Sequence, residues 1–214
     1  MKRERSIVFS TDDIRAIREG RKTQFVELVK PQPDARVVEI KRRGYQRGLQ
    51  THMYPGSWAE FTQRVWKYNV GDRLWVKETW WCAIDPQKAS KDTPLPLTSP
   101  MYFADWDTPH WKSSFNESDL AWRSATRMPS WASRITLEVE SVRLCRLREI
   151  TEADAIAEGI RALPGGGYGI NEPFSAENTA REALAALWDS RNGKRAPWAS
   201  NPWVWVVDFC IVEQ

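Results

Sequence analysis

The stretch "GDRLWVKETWWC" (residues 71–82) begins as a Gly-Asp turn and continues with the two-residue alternation of a strand. Leu74, Val76, Glu78, Trp80 and Cys82 therefore share one face, because side chains alternate across a pleated strand. That face is apolar except for Glu78. A carboxylate placed there is costly unless a cation or several donors meet it, so Glu78 predicts a partner elsewhere in the chain.

Two further strands flank this one in the reading. "SRITLEVESVRLCRL" (133–147) alternates with Ile135, Leu137 and Val139 on one face, then changes phase at Ser141-Val142, which predicts a bulge or barrel corner. "WVWVVDFCIV" (203–212) is apolar on both faces apart from Asp208, the pattern of a central strand, with Asp208 expected at an edge or beside an arginine. Helices punctuate the strands. "SIVFSTDDIRAIREG" (6–20) reads as strand then helix, capped at Ser10 or Thr11, with Asp13 in the first turn, Ile14 and Ile17 inward and Gly20 as the stop. "ITEADAIAEGI" (150–160) starts on Thr151 and Asp154 and stops at Gly159. "SAENTAREALAALWDSRNG" (175–193) sets Ala180, Ala183, Leu184 and Leu187 at core spacing. Between these two helices, "LPGGGYG" (163–169) lacks the lysine of a phosphate loop and reads as a linker.

Residues 31–70 and 84–130 are rich in prolines and polar residues and read as irregular insertions. The first carries a strand at 36–41 and a basic run, Lys41 to Arg47, around Tyr45; the second reads as a loop or lid rather than regular structure. Few helices and several short strands predict an α+β fold around a small barrel-like sheet.

Composition narrows the chemistry. The chain has 214 residues, 42% of them hydrophobic, enough for one large globular domain. No window is long and apolar enough for a membrane span, and the first residues lack the apolar core of a signal peptide, so the expected location is the cytoplasm. Cys82, Cys145 and Cys210 form no CxxC pair and read as buried, inert thiols. With His52 and His110 as the two histidines, neither a metal site nor a cofactor is expected. Residues 1–47 hold 13 Lys/Arg against 7 Asp/Glu, whereas 149–189 hold 2 against 8. That polarity suits an anionic partner for the basic part. Thirteen tryptophans add stacking surface; loop residues such as Trp106 and Trp111 suit either base stacking or the covering of apolar surface.

The blocks "FSTDDIRAIREGRKTQ", "GDRLWVKETW", "MPSWASRITLEVESVRL", "EITEADAIAEGI", "LWDS" and "NPWVWVVDF" together resemble the ASCH family, a branch of the PUA-like barrels, and most closely its phage- and prophage-encoded members. The resemblance runs from residue 8 to 209 in family order. It implies a PUA-like small β-barrel with flanking helices, the whole chain 1–214 as one domain, and insertions at about 31–70 and 84–130. In the family, a lysine in the turn after the first helix projects into a cleft and a glutamate lies across from it; these positions are Lys22 and Glu78 here. Relatives that hydrolyse N4-acylated cytidine use a threonine three residues after the lysine. Here that position is Phe25.

Phage relatives commonly read "GRKTQTRR", whereas residues 20–27 read "GRKTQFVE". A phenyl ring cannot attack a carbonyl, and Glu27 in place of an arginine repels phosphate. Thr23, two positions earlier, would fall about 6–7 Å from the required place.

The leading expectation is thus a reader of RNA, single-stranded nucleic acid or a modified nucleoside, with Lys22, Trp80, Arg123, Arg127, Trp131 and Arg134 as binding residues. The alternatives are a hydrolase, either an N4-acylcytidine amidohydrolase or a ribonuclease with Lys22 and Glu78 as acid and base, and a phage-encoded factor that binds a host protein through Phe25, Val26 and exposed tryptophans.

Overall fold

The computed structural model describes residues 3–32, 67–82, 100–106, 121–170 and 177–213. Five strands form the main sheet: β1 (Glu4–Val8), β2 (Gln24–Leu28), β3 (Arg73–Lys77), β6 (Thr136–Arg146) and β9 (Trp203–Glu213), in the order β1-β3-β6-β9-β2. β1 and β3 run parallel, and the other neighbours are antiparallel. Two small ribbons accompany the sheet: β4 (Trp80–Trp81) with β5 (Met101–Tyr102), and β7 (Arg161–Ala162) with β8 (Tyr168–Gly169). The helices are α1 (Thr11–Arg18), α2 (Glu152–Ala157) and α3 (Ala180–Asn192). The architecture is mixed α+β with a mostly β core. No helix among the described residues is long and apolar enough to cross a membrane.

β9 explains its own composition. It lies between β6 and β2, and Trp203, Trp205, Val207 and Phe209 enter one core with Ile14, Ile17, Leu74, Val76 and Leu137. Val204 and Val206 point the other way, into a second core with Leu147, Ile150, Ala155, Leu184 and Trp188 from the α2 and α3 side. A strand covered on both faces has no room for alternation. Asp208 is not at an edge, and no arginine bonds it among the described residues. The bulge expected near Ser141 is present, with a register shift between Val139 and Ser141, and it turns the Ser141 hydroxyl onto the Asp208 carboxylate.

The first core contains residues of all five strands, so the sheet curls around it. Among the described residues its hydrogen-bonded order ends at β1 and β2, yet the rings of Phe9, just past β1, and Phe25, within β2, meet at 5.9 Å, edge to face. The two edges are thereby brought together around the aromatic centre.

Local readings of the helices hold. Ser10 caps α1 and exchanges bonds with Asp13, Thr151 does the same with Asp154 in α2, and Gly20 and Gly159 follow with positive φ. Two expectations need correction. "LPGGGYG" is the turn of the β7–β8 hairpin rather than a linker, because Leu163 N–H donates to Gly167 O and closes it. The described parts of the second insertion hold β5 and the 3-10 turns Phe103–Asp105 and Ala125–Arg127, and join β4 through β5 and an isolated bridge between Trp80 and Arg123. Cys82 and Cys145 are buried, whereas Cys210 is half-buried. The strand at 36–41, the basic run 41–47 and Trp111 lie outside the described residues.

Candidate functional site

After α1 the chain folds back under its own helix. Arg21 and Lys22 N–H both donate to Ala16 O, at 2.9 and 3.0 Å, while Gly20 takes φ +70°. This aims the Lys22 side chain inward. Thr23 then donates its N–H to Ala157 O and accepts from Phe209 N–H, both at 2.9 Å, so the turn is fastened to α2 and β9 at once. Gly159 allows α2 to end against the lysine stem: its φ is +100°, and a Cβ there would stand 3.4 Å from both Ala16 Cβ and Lys22 Cβ.

The Lys22 ammonium is 1% exposed and surrounded by acceptors. Nζ lies 2.8 Å from Glu158 O, 2.9 Å from Glu158 Oε2 and 3.3 Å from Asp13 Oδ1. An ammonium has three protons, and three acceptors face this one. Asp13 is also held by the Ser10 hydroxyl at 2.6 Å and by Arg191 Nη2 at 3.2 Å, and Glu158 Oε1 accepts from Val26 N–H at 3.3 Å. The two carboxyls are driven apart. Burial pushes Asp13 upward, but Lys22, Arg191 and Ser10 together outweigh it and hold the group below the usual carboxylate range. At Glu158 burial wins over the pull of Lys22, with the nearby Asp13 charge adding to it, and the group is raised.

Above this floor lies a cleft of about 330 Å³ between Ser6–Phe9 on the β1 side and Phe25–Glu27 on the β2 side. Phe25 forms the aromatic centre of its wall, 5.3 Å from Tyr68 and 6.0 Å from Phe209 between ring centroids. At the rim Glu27 accepts from Tyr68 Oη at 2.6 Å and Lys67 Nζ at 2.5 Å. Burial, with the Glu27 charge, raises the Tyr68 phenol, which stays protonated.

The cation that Glu78 required is Arg134, not Lys22. Arg134 Nε and Nη2 reach Glu78 Oε1 and Oε2 at 2.9 and 2.8 Å, a bidentate pair, and Nη1 reaches Asp105 Oδ2 at 2.5 Å. Arg18 of α1 also bonds Asp105, and the Arg134 guanidinium lies 3.9 Å from the Tyr102 ring centre. Burial outweighs Arg134 at Glu78 and raises that carboxyl; burial likewise raises Tyr102 to about 12. Lys22 and Glu78 thus belong to separate networks, which meet α1 at Asp13 and at Arg18 respectively. The pairing expected across a single cleft is not formed, because each has closer partners of opposite charge.

Trp80 and Trp131 pack in one cluster with Tyr102 of the second network, and Arg123 lies on Trp80. Trp80 is buried against Cys82, Met128 and Ala132, and meets Trp131 edge to face at 5.7 Å. Arg123 is exposed, with its guanidinium 4.9 Å from the Trp80 ring. Arg127 is exposed on a 3-10 turn. Thr23 is exposed and does not line the cleft, because its backbone pairing turns it away from Phe25. Phe25 itself is 5% exposed, so it belongs to the core and not to an outward patch. Trp106 packs on Trp122 and covers apolar surface.

Asp13, Glu158, Arg191, Phe9 and Tyr68 complete the first site and were not among the residues expected from sequence. One signal pointed to Glu158. It follows buried Ala155 by three positions, on the same helix face, whereas Ile156 is 51% exposed.

No protein-family model matches the chain, and no curated protein matches it. Among solved structures, the high-resolution crystal structure of an ASCH domain from Lactobacillus crispatus JV V101 superposes with a TM-score of 0.39 at 10% identity, over 99% of this chain and 81% of that one. At that score the likeness carries no weight for fold or function.

Proposed function

We propose that the cleft between β1 and β2 holds one nucleobase, as a modified nucleoside or as part of a single-stranded RNA, in a curled sheet of PUA-like type. The reading rests on the combination of an aromatic wall, Phe9, Phe25 and Tyr68, with a floor of two carboxyls, in a volume of about 330 Å³. Sites of this size hold small ligands, aromatic walls suit flat bases, and carboxylates accept from exocyclic amino groups. Lys22 acts by orienting Asp13 and Glu158, since its own protons face them. A phosphate at the floor would meet those carboxylates, so phosphates belong at the rim near Lys67 and Arg191. Binding is favoured over hydrolysis by Lys22 and Glu78 because the two sit in separate networks, and over a host-protein patch because Phe25 is inside.

The test is calorimetric titration with N4-acetylcytidine, cytidine, uridine and an unstructured RNA oligomer, on the wild type and on Phe9→Leu, which keeps an apolar side chain and removes a ring. Saturable binding weakened about tenfold in Phe9→Leu is expected, given about 1–3 kcal/mol for stacking one base. Absence of saturable binding, or equal affinity in the variant, would overturn the reading. Mass spectrometry of the same mixtures checks for released cytidine or RNA fragments, whose appearance would make the site hydrolytic.

A further inference from the structure

A second cavity, of about 430 Å³, shares Arg191 with the cleft but lies among α1, α3 and the β7–β8 hairpin. Ile160, Tyr168, Ile170 and Leu187 give it an apolar wall. Its polar side is formed where the start of α1 meets the last turn of α3. There Arg191 Nη2 is engaged with Asp13 and Ser10, at 3.2 and 3.4 Å, while its Nε and Nη1 make no hydrogen bond among the described residues. Asp12 lines the same cavity, and its carboxylate makes no ion pair or hydrogen bond among the described residues, with Arg191 or otherwise. A cation with spare donors and an unpartnered carboxylate therefore border one apolar cavity without touching each other.

That arrangement selects by charge. A simple organic anion would satisfy Arg191 but face Asp12 and also Glu177, which lines the cavity beside Tyr168. A simple amine would satisfy the carboxylates but face Arg191. A small zwitterion carrying its two charges close together satisfies both, and an apolar body fills the remaining wall. The geometry points to a binding site for a free apolar α-amino acid, its carboxylate on Arg191, its ammonium on Asp12 and its side chain against Ile160, Ile170 and Leu187. The site does not depend on what the cleft binds. Because Arg191 also holds Asp13, occupancy bears on the floor of the cleft through a single side chain.

The test is calorimetric titration of the full chain with leucine and with phenylalanine, beside N-acetylleucine, which lacks the ammonium, and leucinamide, which lacks the carboxylate. Saturable binding of at least one amino acid is expected, weakened about tenfold or more by capping either charge. Ala186→Trp places a large ring at an exposed position on the cavity rim and should abolish that binding while leaving the melting temperature and any nucleoside binding unchanged. No saturable heat with either amino acid overturns the proposal, as does undiminished binding of a capped analogue or of leucine by Ala186→Trp.

Discussion

Lys22 and Glu158 meet twice: the ammonium lies 2.8 Å from the glutamate's backbone oxygen and 2.9 Å from its carboxylate. The first contact ties the lysine to the end of α2, where the last carbonyls lack helical partners, and the second neutralises charge in a site nearly closed to water at the floor of the cleft. The turn after α1, the first turn of α1 at Asp13 and the end of α2 are thus joined at one nitrogen.

Replacing Lys22 with Met keeps the stem's volume and deletes the charge. Asp13 retains Arg191 and Ser10, but Glu158 loses its cation, so the variant should be less stable by about 3–5 kcal/mol, the usual cost of breaking a buried pair. Urea unfolding at neutral pH measures it. A loss under about 1 kcal/mol would mean that the pair contributes little beyond its desolvation cost. Adding Glu158→Gln to the lysine variant should recover part of the loss, because no charge is then left unpaired.

The split between the two carboxyls predicts opposite pH dependences. Glu158 is raised in the folded protein, so the fold binds its proton more tightly than the unfolded chain does. Its contribution is complete below the unfolded value, about 4.3, and is lost as pH rises through the folded value. Asp13 is lowered, so its contribution is present above about 3.9 and is lost as pH falls through its folded value. Urea midpoints across pH should therefore fall less steeply toward alkaline pH in Glu158→Gln than in the wild type, and less steeply toward acid in Asp13→Asn. Parallel curves for wild type and Glu158→Gln would contradict the assignment.

Arg134 separates the two networks experimentally. Arg134→Ala leaves Glu78 and Asp105 without their shared cation and should cost about 3–5 kcal/mol of stability. It should leave the affinity of the cleft for nucleosides unchanged, since Arg134 does not line it. Unfolding curves and titrations on the same sample check both statements, and a tenfold loss of nucleoside affinity in a folded variant would join the two networks functionally.

What the sequence disclosed was what period and local chemistry can carry. Alternation placed Leu74, Val76, Glu78, Trp80 and Cys82 on one buried face, the phase change at Ser141 located a bulge, and Ser10 and Thr151 announced their helices. The demand of Glu78 for a cation was legible, but the identity of that cation was not. Lys22 and Arg134 both carry the required charge, and the choice depends on tertiary placement, which leaves Lys22 with Asp13 and Glu158 and Arg134 with Glu78. Glu158 and Arg191 reach the floor of the cleft through tertiary docking of α2 and α3, which leaves little trace in spacing. The family resemblance named Lys22 as a cleft residue; it gave no sign that its partners would be Asp13 and Glu158.

β9 has one more implication. The strand that pairs with β2 lies at residues 203–213, and β2 has no other sheet neighbour among the described residues. During synthesis, therefore, Phe25 and Val26 emerge early and stay without this partner strand until residues 203–213 have left the ribosome. Contacts of such long sequence separation form slowly. The cleft cannot be complete before β9 is made, and a nascent chain stalled before β9 would carry the lysine turn without the strand whose Phe209 N–H bonds Thr23 O.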